Sequence, residues 1–247
     1  MVDYSPYENF VQYICETRNF TDFKTHPNYK YMLEHVSPEL GHKYLELIQN
    51  NTTITSFQIE SYCNMNDIIG NPTKINYGTI TCSPTSLRYI WFSHVILSHF
   101  KKFNKDTYDI VEIGGGYGGL CLALNFFSKH YSLTISNYAI IDLTWPSKLQ
   151  KLYLDNFNIS FPVSFHTATT YGENINTSDS MLISTYSFSE IDFNHQKNYI
   201  EKLFPKISHG FIAWNLIPTY DFGFEFTEEK ETPLSFNDNP YNKFVFF

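Results

Sequence analysis

Five glycines in six positions follow an acid at the end of an apolar run, in Val111-Glu112-Ile113-Gly114-Gly115-Gly116-Tyr117-Gly118-Gly119. Glycine accepts positive φ and lets a ligand approach the backbone, so such a loop between a strand and a helix can seat a nucleotide-like ligand. Asp142 closes Ile140-Ile141-Asp142-Leu143, where a carboxylate offers two acceptor oxygens to a vicinal diol. Glu190, in Phe188-Ser189-Glu190, is a candidate general base for a weak nucleophile. Its alternative role is an acid in the first turn of the next helix, favoured by the helix dipole. His166 ends another apolar stretch and is either a second catalytic candidate or a hydrogen-bonded structural imidazole. Arg88 has a planar fork suited to a carboxylate or a phosphate, an ordinary salt bridge being the alternative. Glu225, Glu228, Glu229 and Glu231 form an acidic run without metal-ligand spacing and read as a solvated loop. A divalent metal that acidifies a hydroxyl stays open, with no compact carboxylate cluster to indicate one.

The ligand of the glycine loop has two readings. Gly114-x-Gly116-x-x-Gly119 satisfies the dinucleotide fingerprint, and Asp142 lies at a spacing that suits a ribose, which points to an NAD-dependent nucleotide-sugar oxidoreductase. Dinucleotide strands, however, are usually apolar up to the first glycine and open their domain. Glu112-x-Gly114-x-Gly116-x-Gly118 resembles instead the S-adenosylmethionine signature of class I methyltransferases. On that resemblance Glu112 supports the loop and the methionine end of the cofactor. Gly114, Gly115, Gly116, Tyr117 and Gly118 form the seat, and Asp142 with Leu143 meets the ribose side. Ser184 and Thr185 sit where the fourth strand of such domains contacts the methionine end or the acceptor, and Arg88 is a candidate for the cofactor carboxylate.

The elements that must position these residues follow from periodicity. Apolar stripes at helical spacing cover much of residues 1–50, whereas 51–82 lack that period and carry turn signals such as Gly70-Asn71-Pro72. Ser83-Pro84 opens a helix of about 20 residues, with serine as N-cap and proline in the first turn. From residue 104 strands alternate with helices, the pattern of a parallel sheet covered on both faces. The strands read as 108–113, 138–143, 163–166, 181–186 and 210–215, and the helices as 118–128, 147–156 and 194–204. Phe222–Phe226 and Lys243–Phe247 read as a terminal antiparallel pair. The fold expected is therefore α/β, a Rossmann-like doubly wound sheet, mostly parallel with an antiparallel C-terminal strand, behind a helical N-terminal region. The division is 1–103, covering the acceptor site, and 104–247, holding the cofactor.

Composition narrows the partners. A net charge of −8 with no long basic run argues against nucleic acid. Met1-Val2-Asp3-Tyr4 lacks the character of a signal peptide, and no apolar run approaches the ~20 residues of a membrane span. Cys15, Cys63, Cys82 and Cys121 are scattered and read as reduced thiols of a cytoplasmic protein. Aromatic residues at 18% leave homo-oligomerisation open.

Beyond the glycine loop, Asp67-Ile68-Ile69-Gly70-Asn71-Pro72, Ser83-Pro84-Thr85-Ser86-Leu87-Arg88-Tyr89, Ile141-Asp142-Leu143 with Leu149-Gln150-Lys151-Leu152-Tyr153-Leu154, and Ile183-Ser184-Thr185-Tyr186-Ser187-Phe188-Ser189-Glu190 together resemble the sugar O-methyltransferase family found with polysaccharide-assembly enzymes. The chain departs from that pattern at Thr185 and Ser187, where asparagine and alanine are expected. The resemblance implies the class I methyltransferase fold, S-adenosylmethionine as cofactor and a sugar or nucleotide-sugar hydroxyl as acceptor, with Asp67 lining the acceptor pocket. Methylation of adenine amino groups would call for an Asn/Asp-Pro-Pro-aromatic motif, and Ser184-Thr185-Tyr186-Ser187 stands in its place.

Overall fold

The computed structural model describes residues 5–235 and 239–247; Met1–Tyr4, whose composition spoke against a signal peptide, lie outside the described residues. Helices come first: α1 (Ser5–Thr17), α2 (Pro27–Met32), α3 (Pro38–Asn51) and α4 (Ser56–Asn66). A short antiparallel pair, β1 (Ile75–Asn76) and β2 (Thr81–Cys82), leads into α5 (Pro84–Phe100). The chain then runs β3 (Tyr108–Ile113), α6 (Gly119–Phe127), β4 (Ile135–Asp142), α7 (Thr144–Leu154), β5 (Val163–Thr167), β6 (Ser180–Thr185), α8 (Ser187–Glu190), α9 (Phe193–Lys202), β7 (Ile207–Trp214), β8 (Thr227–Lys230) and β9 (Lys243–Phe246).

Seven strands form one sheet in the order β5-β4-β3-β6-β7-β9-β8. β3 to β7 are parallel, and β9 is antiparallel to both β7 and β8. Alternation along each strand divides the apolar side chains between two cores. Ile110, Tyr138, Ile140, Met181, Ile183 and Phe211 join α1 to α7 on one face. Val111, Ile113, Ile141, Leu182, Ile212 and Trp214 meet α8, α9 and the 220–226 segment on the other. Both faces are covered, which is why these strands read as nearly continuous apolar runs.

Capping fixes where the long helices start. Ser37 accepts from Leu40 N–H ahead of α3, and Ser83 accepts from Thr85 N–H ahead of α5, each with proline in the first turn. α5 is buried around most of its circumference because it packs on α3, α4 and α6, and Phe92 reaches Phe211 and Phe244 across the sheet. The helices before residue 104 therefore share a single core with the sheet.

Two expectations fail. Residues 51–82 are not all irregular: α4 stands among them, closed by a reciprocal capping box of Thr55 and Gln58. Its apolar residues form no single stripe, since Phe57 is exposed while Ile59, Tyr62 and Cys63 are buried, so periodicity alone misses it. The penultimate strand is the acidic segment Thr227–Lys230, not Phe222–Phe226. An edge strand exposed along its length tolerates charge, and charge there discourages pairing with another chain. The phenylalanines instead cover the second core, with Phe222 ringed by Phe188, Trp214 and Phe226.

Candidate active site

The glycine loop turns sharply out of β3. Gly114 has φ +76, and a Cβ on it would lie 2.1 Å from Ser187 Oγ, so both conformation and space demand glycine. Its N–H donates to Ile141 O at 3.0 Å. A Cβ on Gly115 would lie 2.7 Å from Ile140 Cγ2, and its N–H donates to Asp142 Oδ2 at 3.0 Å. Gln150 Nε2 joins the two motifs by donating to Asp142 Oδ2 at 2.7 Å and to Gly116 O at 3.1 Å.

Asp142 thus has a fixed orientation, with Leu143 N–H donating to Oδ1 at 2.8 Å. Burial pushes its carboxyl up to about 6, against the lowering effect of these three hydrogen bonds. Glu112 is 1% exposed and accepts from Tyr138 Oη at 2.9 Å. Its carboxyl is pushed up to about 8, chiefly by burial, with Asp142 adding a smaller increment.

Both acids line a cavity of 530 Å³ at the carboxyl ends of β3, β4 and β6, where open α/β sheets hold ligands. Gly114, Gly115, Gly116, Leu143, Thr185, Arg88 and Glu190 line it as well. Arg88 is 5% exposed and donates through Nη2 to Leu33 O at 3.1 Å. No carboxylate among the described residues lies within salt-bridge distance of it, and Arg88 lines the cavity. Glu190 accepts from Asn215 Nδ2 at 2.6 Å.

Five sequence candidates lie outside the cavity, each for a definable reason. Tyr117 turns under the loop, fully buried, and exchanges hydrogen bonds with Asn66 while covering Lys24 Nζ at 4.1 Å. Gly118, φ +97, closes the turn ahead of α6 through a bond to Gly115 O. Ser184 Oγ is spent inside the fold, donating to Ile113 O at 2.9 Å and accepting from Phe188 N–H at 3.0 Å. His166 pairs with Ser164 Oγ at 2.9 Å along its own strand, as the structural alternative for it has it. Asp67 is 3% exposed and binds Ser83 N–H and Ser86 Oγ, so it anchors the start of α5 instead of meeting an acceptor. Glu231 also leaves its solvated-loop reading: at 1% exposure it accepts from Tyr186 Oη and from Asn242 Nδ2 at 2.8 Å.

The structure adds residues that sequence reasoning passed over. Tyr7, Met32, Leu33 and His35 reach the cavity from the N-terminal helices. His35 is held neutral at physiological pH, with its imidazole pushed down to about 4 by burial and the nearby Arg88 charge. Tyr171 and His195 line the opposite side, bonded to each other at 2.8 Å. No motif marked these positions; the 2.6 Å bond of Asn215 had one signal, an amide at the end of an apolar strand. Among the described residues no group of three or more His, Cys, Asp or Glu is placed to hold a metal ion.

No protein-family model matches this chain, and no curated protein matches it. Among solved structures it is similar to PKMT2 from Rickettsia typhi in complex with AdoHcy, at 17% identity over 46% of this chain and 22% of that one, TM-score 0.37. It is also similar to SAM-bound CalS10, an amino pentose methyltransferase from Micromonospora echinaspora, at 9% identity over 57% of each chain, TM-score 0.40. A third is an S-adenosylmethionine-dependent methyltransferase from Clostridium acetobutylicum, at 13% identity over 62% of this chain and 70% of that one, TM-score 0.40. The chain spans 22% of the first of these proteins and 57% of the second. The fold is Rossmann-like: a mostly parallel seven-stranded sheet with an antiparallel C-terminal strand.

Proposed function

We propose that this chain is an S-adenosylmethionine-dependent O-methyltransferase whose acceptor is a sugar hydroxyl. The observation that carries the reading is the polar lining of one cavity: buried Glu112 and the triply anchored Asp142 at adjoining strand ends, with buried Arg88 from α5. An amino-acid end carrying an ammonium and a carboxylate, joined to a ribose diol, complements all three. A buried guanidinium with no salt bridge among the described residues favours a ligand that brings a carboxylate, and a carboxyl held protonated by burial ionises when an ammonium is brought against it. Gly114, Gly115 and Gly116 line the same cavity without side chains of their own. The glycine–acid signature and the resemblance to sugar O-methyltransferases support the same cofactor, and that resemblance supports the acceptor class.

In this reading Asp142 receives the ribose hydroxyls, Glu112 the ammonium and Arg88 the carboxylate. Bound so, the cofactor would supply an activated sulfonium methyl for transfer to the acceptor oxygen. Glu190 takes the proton that the acceptor hydroxyl gives up as its oxygen forms the new bond to carbon. Alignment of the hydroxyl with the methyl is the main demand of an in-line displacement. Tyr7, Met32, Leu33 and His35 make the N-terminal region a cover that excludes water and shapes the acceptor side.

Calorimetry with S-adenosylhomocysteine and with NAD separates this reading from the oxidoreductase one. We expect S-adenosylhomocysteine to bind; tight NAD binding without it would overturn the proposal. Glu190→Gln should keep S-adenosylhomocysteine affinity within about twofold yet lose methyl transfer by 100-fold or more, roughly the low end of general-base contributions. The activity is read with a panel of amino and deoxy sugars and a labelled methyl donor. Unchanged turnover in Glu190→Gln would remove Glu190 from the role.

A further inference from the structure

The wall behind Glu190 contains a hydrogen-bonded relay whose polarity can be deduced. Asn215 lies at the end of β7, 1% exposed, with Nδ2 placed 2.6 Å from Glu190 Oε1 and Oδ1 placed 2.5 Å from Ser189 Oγ. Its backbone N–H donates to the same Ser189 Oγ at 3.1 Å. An ionised carboxylate only accepts, so the amide end facing it must be the NH₂ group. That leaves Oδ1 facing Ser189 Oγ at 2.5 Å, and the single hydroxyl proton of Ser189 has two acceptors, Asn215 Oδ1 and, at 2.8 Å, Tyr186 O. The reverse orientation would set two acceptor oxygens against each other at 2.6 Å.

We propose that Asn215 is a positioning residue for Glu190: its amide, locked by Ser189, keeps the Glu190 carboxylate ionised and turned toward the acceptor. The proposal rests on the base assignment made above. A charge-assisted bond of this kind stabilises the ionised form. It fixes the orientation of Oε1, the oxygen that accepts from Asn215. Ser189 and Glu190 are two of the last residues of α8, so relay and base move as one unit with the β6–α8 turn. Among the described residues, the other ionisable groups lining this cavity are Asp192, His195, Glu112, Asp142, Arg88, His35 and the phenols of Tyr7, Tyr89, Tyr171, Tyr186 and Tyr199, all retained in the variants below.

The test reads Glu190 directly and needs no acceptor. In protein labelled at the glutamate side-chain carboxyl carbon, the Glu190 resonance is assigned with Glu190→Gln and titrated by NMR in wild type, Asn215→Ala and Ser189→Ala. We expect the Glu190 midpoint to rise by about one pH unit in Asn215→Ala, the loss of one hydrogen bond to a charged group. It should also rise in Ser189→Ala, because the amide is then free to present Oδ1 to the carboxylate. S-adenosylhomocysteine affinity should stay within about twofold in both. An unchanged midpoint in Asn215→Ala overturns the proposal, and a rise there without one in Ser189→Ala overturns the lock. Ser189→Ala removes one hydroxyl and leaves Asn215 in place, so it decides alone if Asn215→Ala does not fold. Should wild type fail to bind S-adenosylhomocysteine, the proposed function falls while the titration still reports the Asn215–Glu190 pair.

Discussion

Glu112 is a carboxylic acid kept protonated near neutral pH by its surroundings, and that has a measurable sign. Its folded midpoint of about 8 lies above the ~4.3 of an exposed glutamate. Between those values the folded chain holds a proton that the unfolded chain releases. The stability it contributes is therefore fully present below pH ~4.3 and is lost as pH rises toward 8, at up to about 1.4 kcal/mol per pH unit. Asp142, raised to about 6, acts in the same direction at lower pH. We expect the urea midpoint of the unliganded protein to fall between pH 6 and 8. Glu112→Gln should flatten that fall, since glutamine keeps an acceptor for Tyr138; an equal fall in the variant would contradict this. Glu112 and Asp142 were conspicuous as carboxylates in apolar strands, and Arg88 and Glu190 as charged groups in otherwise apolar or neutral helical segments. His166 takes the structural alternative, paired with Ser164, and Ser184 is spent inside the fold, because a side chain near a strand end points up or down according to register, which its neighbours do not reveal.

The glycine loop shows what an element adds to its residues. Its shape depends on two contacts made after folding, Gly114 against Ser187 and Gly115 against Ile140. Gly114→Ala must relieve a 2.1 Å approach and a φ of +76 together. We expect it to cost roughly 1–3 kcal/mol of stability and at least tenfold in S-adenosylhomocysteine affinity, measured by thermal unfolding and calorimetry. Normal affinity in this variant would mean that the loop does not seat the ligand. Beneath the loop, Lys24 is 1% exposed, donates to Asn66 O at 2.8 Å and is held below its usual range at about 8 by burial. Tyr117, Tyr153 and Phe23 surround it. This network explains Asp67, Asn66 and Ser86 as scaffolding for the loop. Sequence spacing could not find it, because its members come from five separate segments. α4 was missed although its Thr55/Gln58 capping signal was readable, and β8 because aromatic content outweighed the demands of an edge position.

At the scale of the whole molecule, the N-terminal helices and the sheet are parts of one core, and the ligand cavity is closed by both. α1 packs on α7 and brings Tyr7 to the cavity, while Leu33 accepts from Arg88. If these helices cover a bound cofactor, saturating S-adenosylhomocysteine should slow hydrogen exchange of residues 5–36 by at least severalfold, beyond its effect on α9. Unchanged exchange there would show that the cover does not sense the ligand. No helix among the described residues is long and apolar enough to cross a membrane.

The sequence by itself determined the sheet strands from β3 to β7, the glycine turn and the acids that flank it. Those features are local: a period of two or 3.6 residues, and a glycine requirement set by backbone sterics. Tertiary structure alone decided which polar groups face the cavity and which are spent on the fold. It sent Tyr117, Ser184 and Asp67 inward, brought His35 and Tyr7 to the cavity, and set Asn215 behind Glu190. These outcomes depend on contacts between segments far apart in sequence, and on the rule that a buried polar group must find a partner wherever the fold provides one.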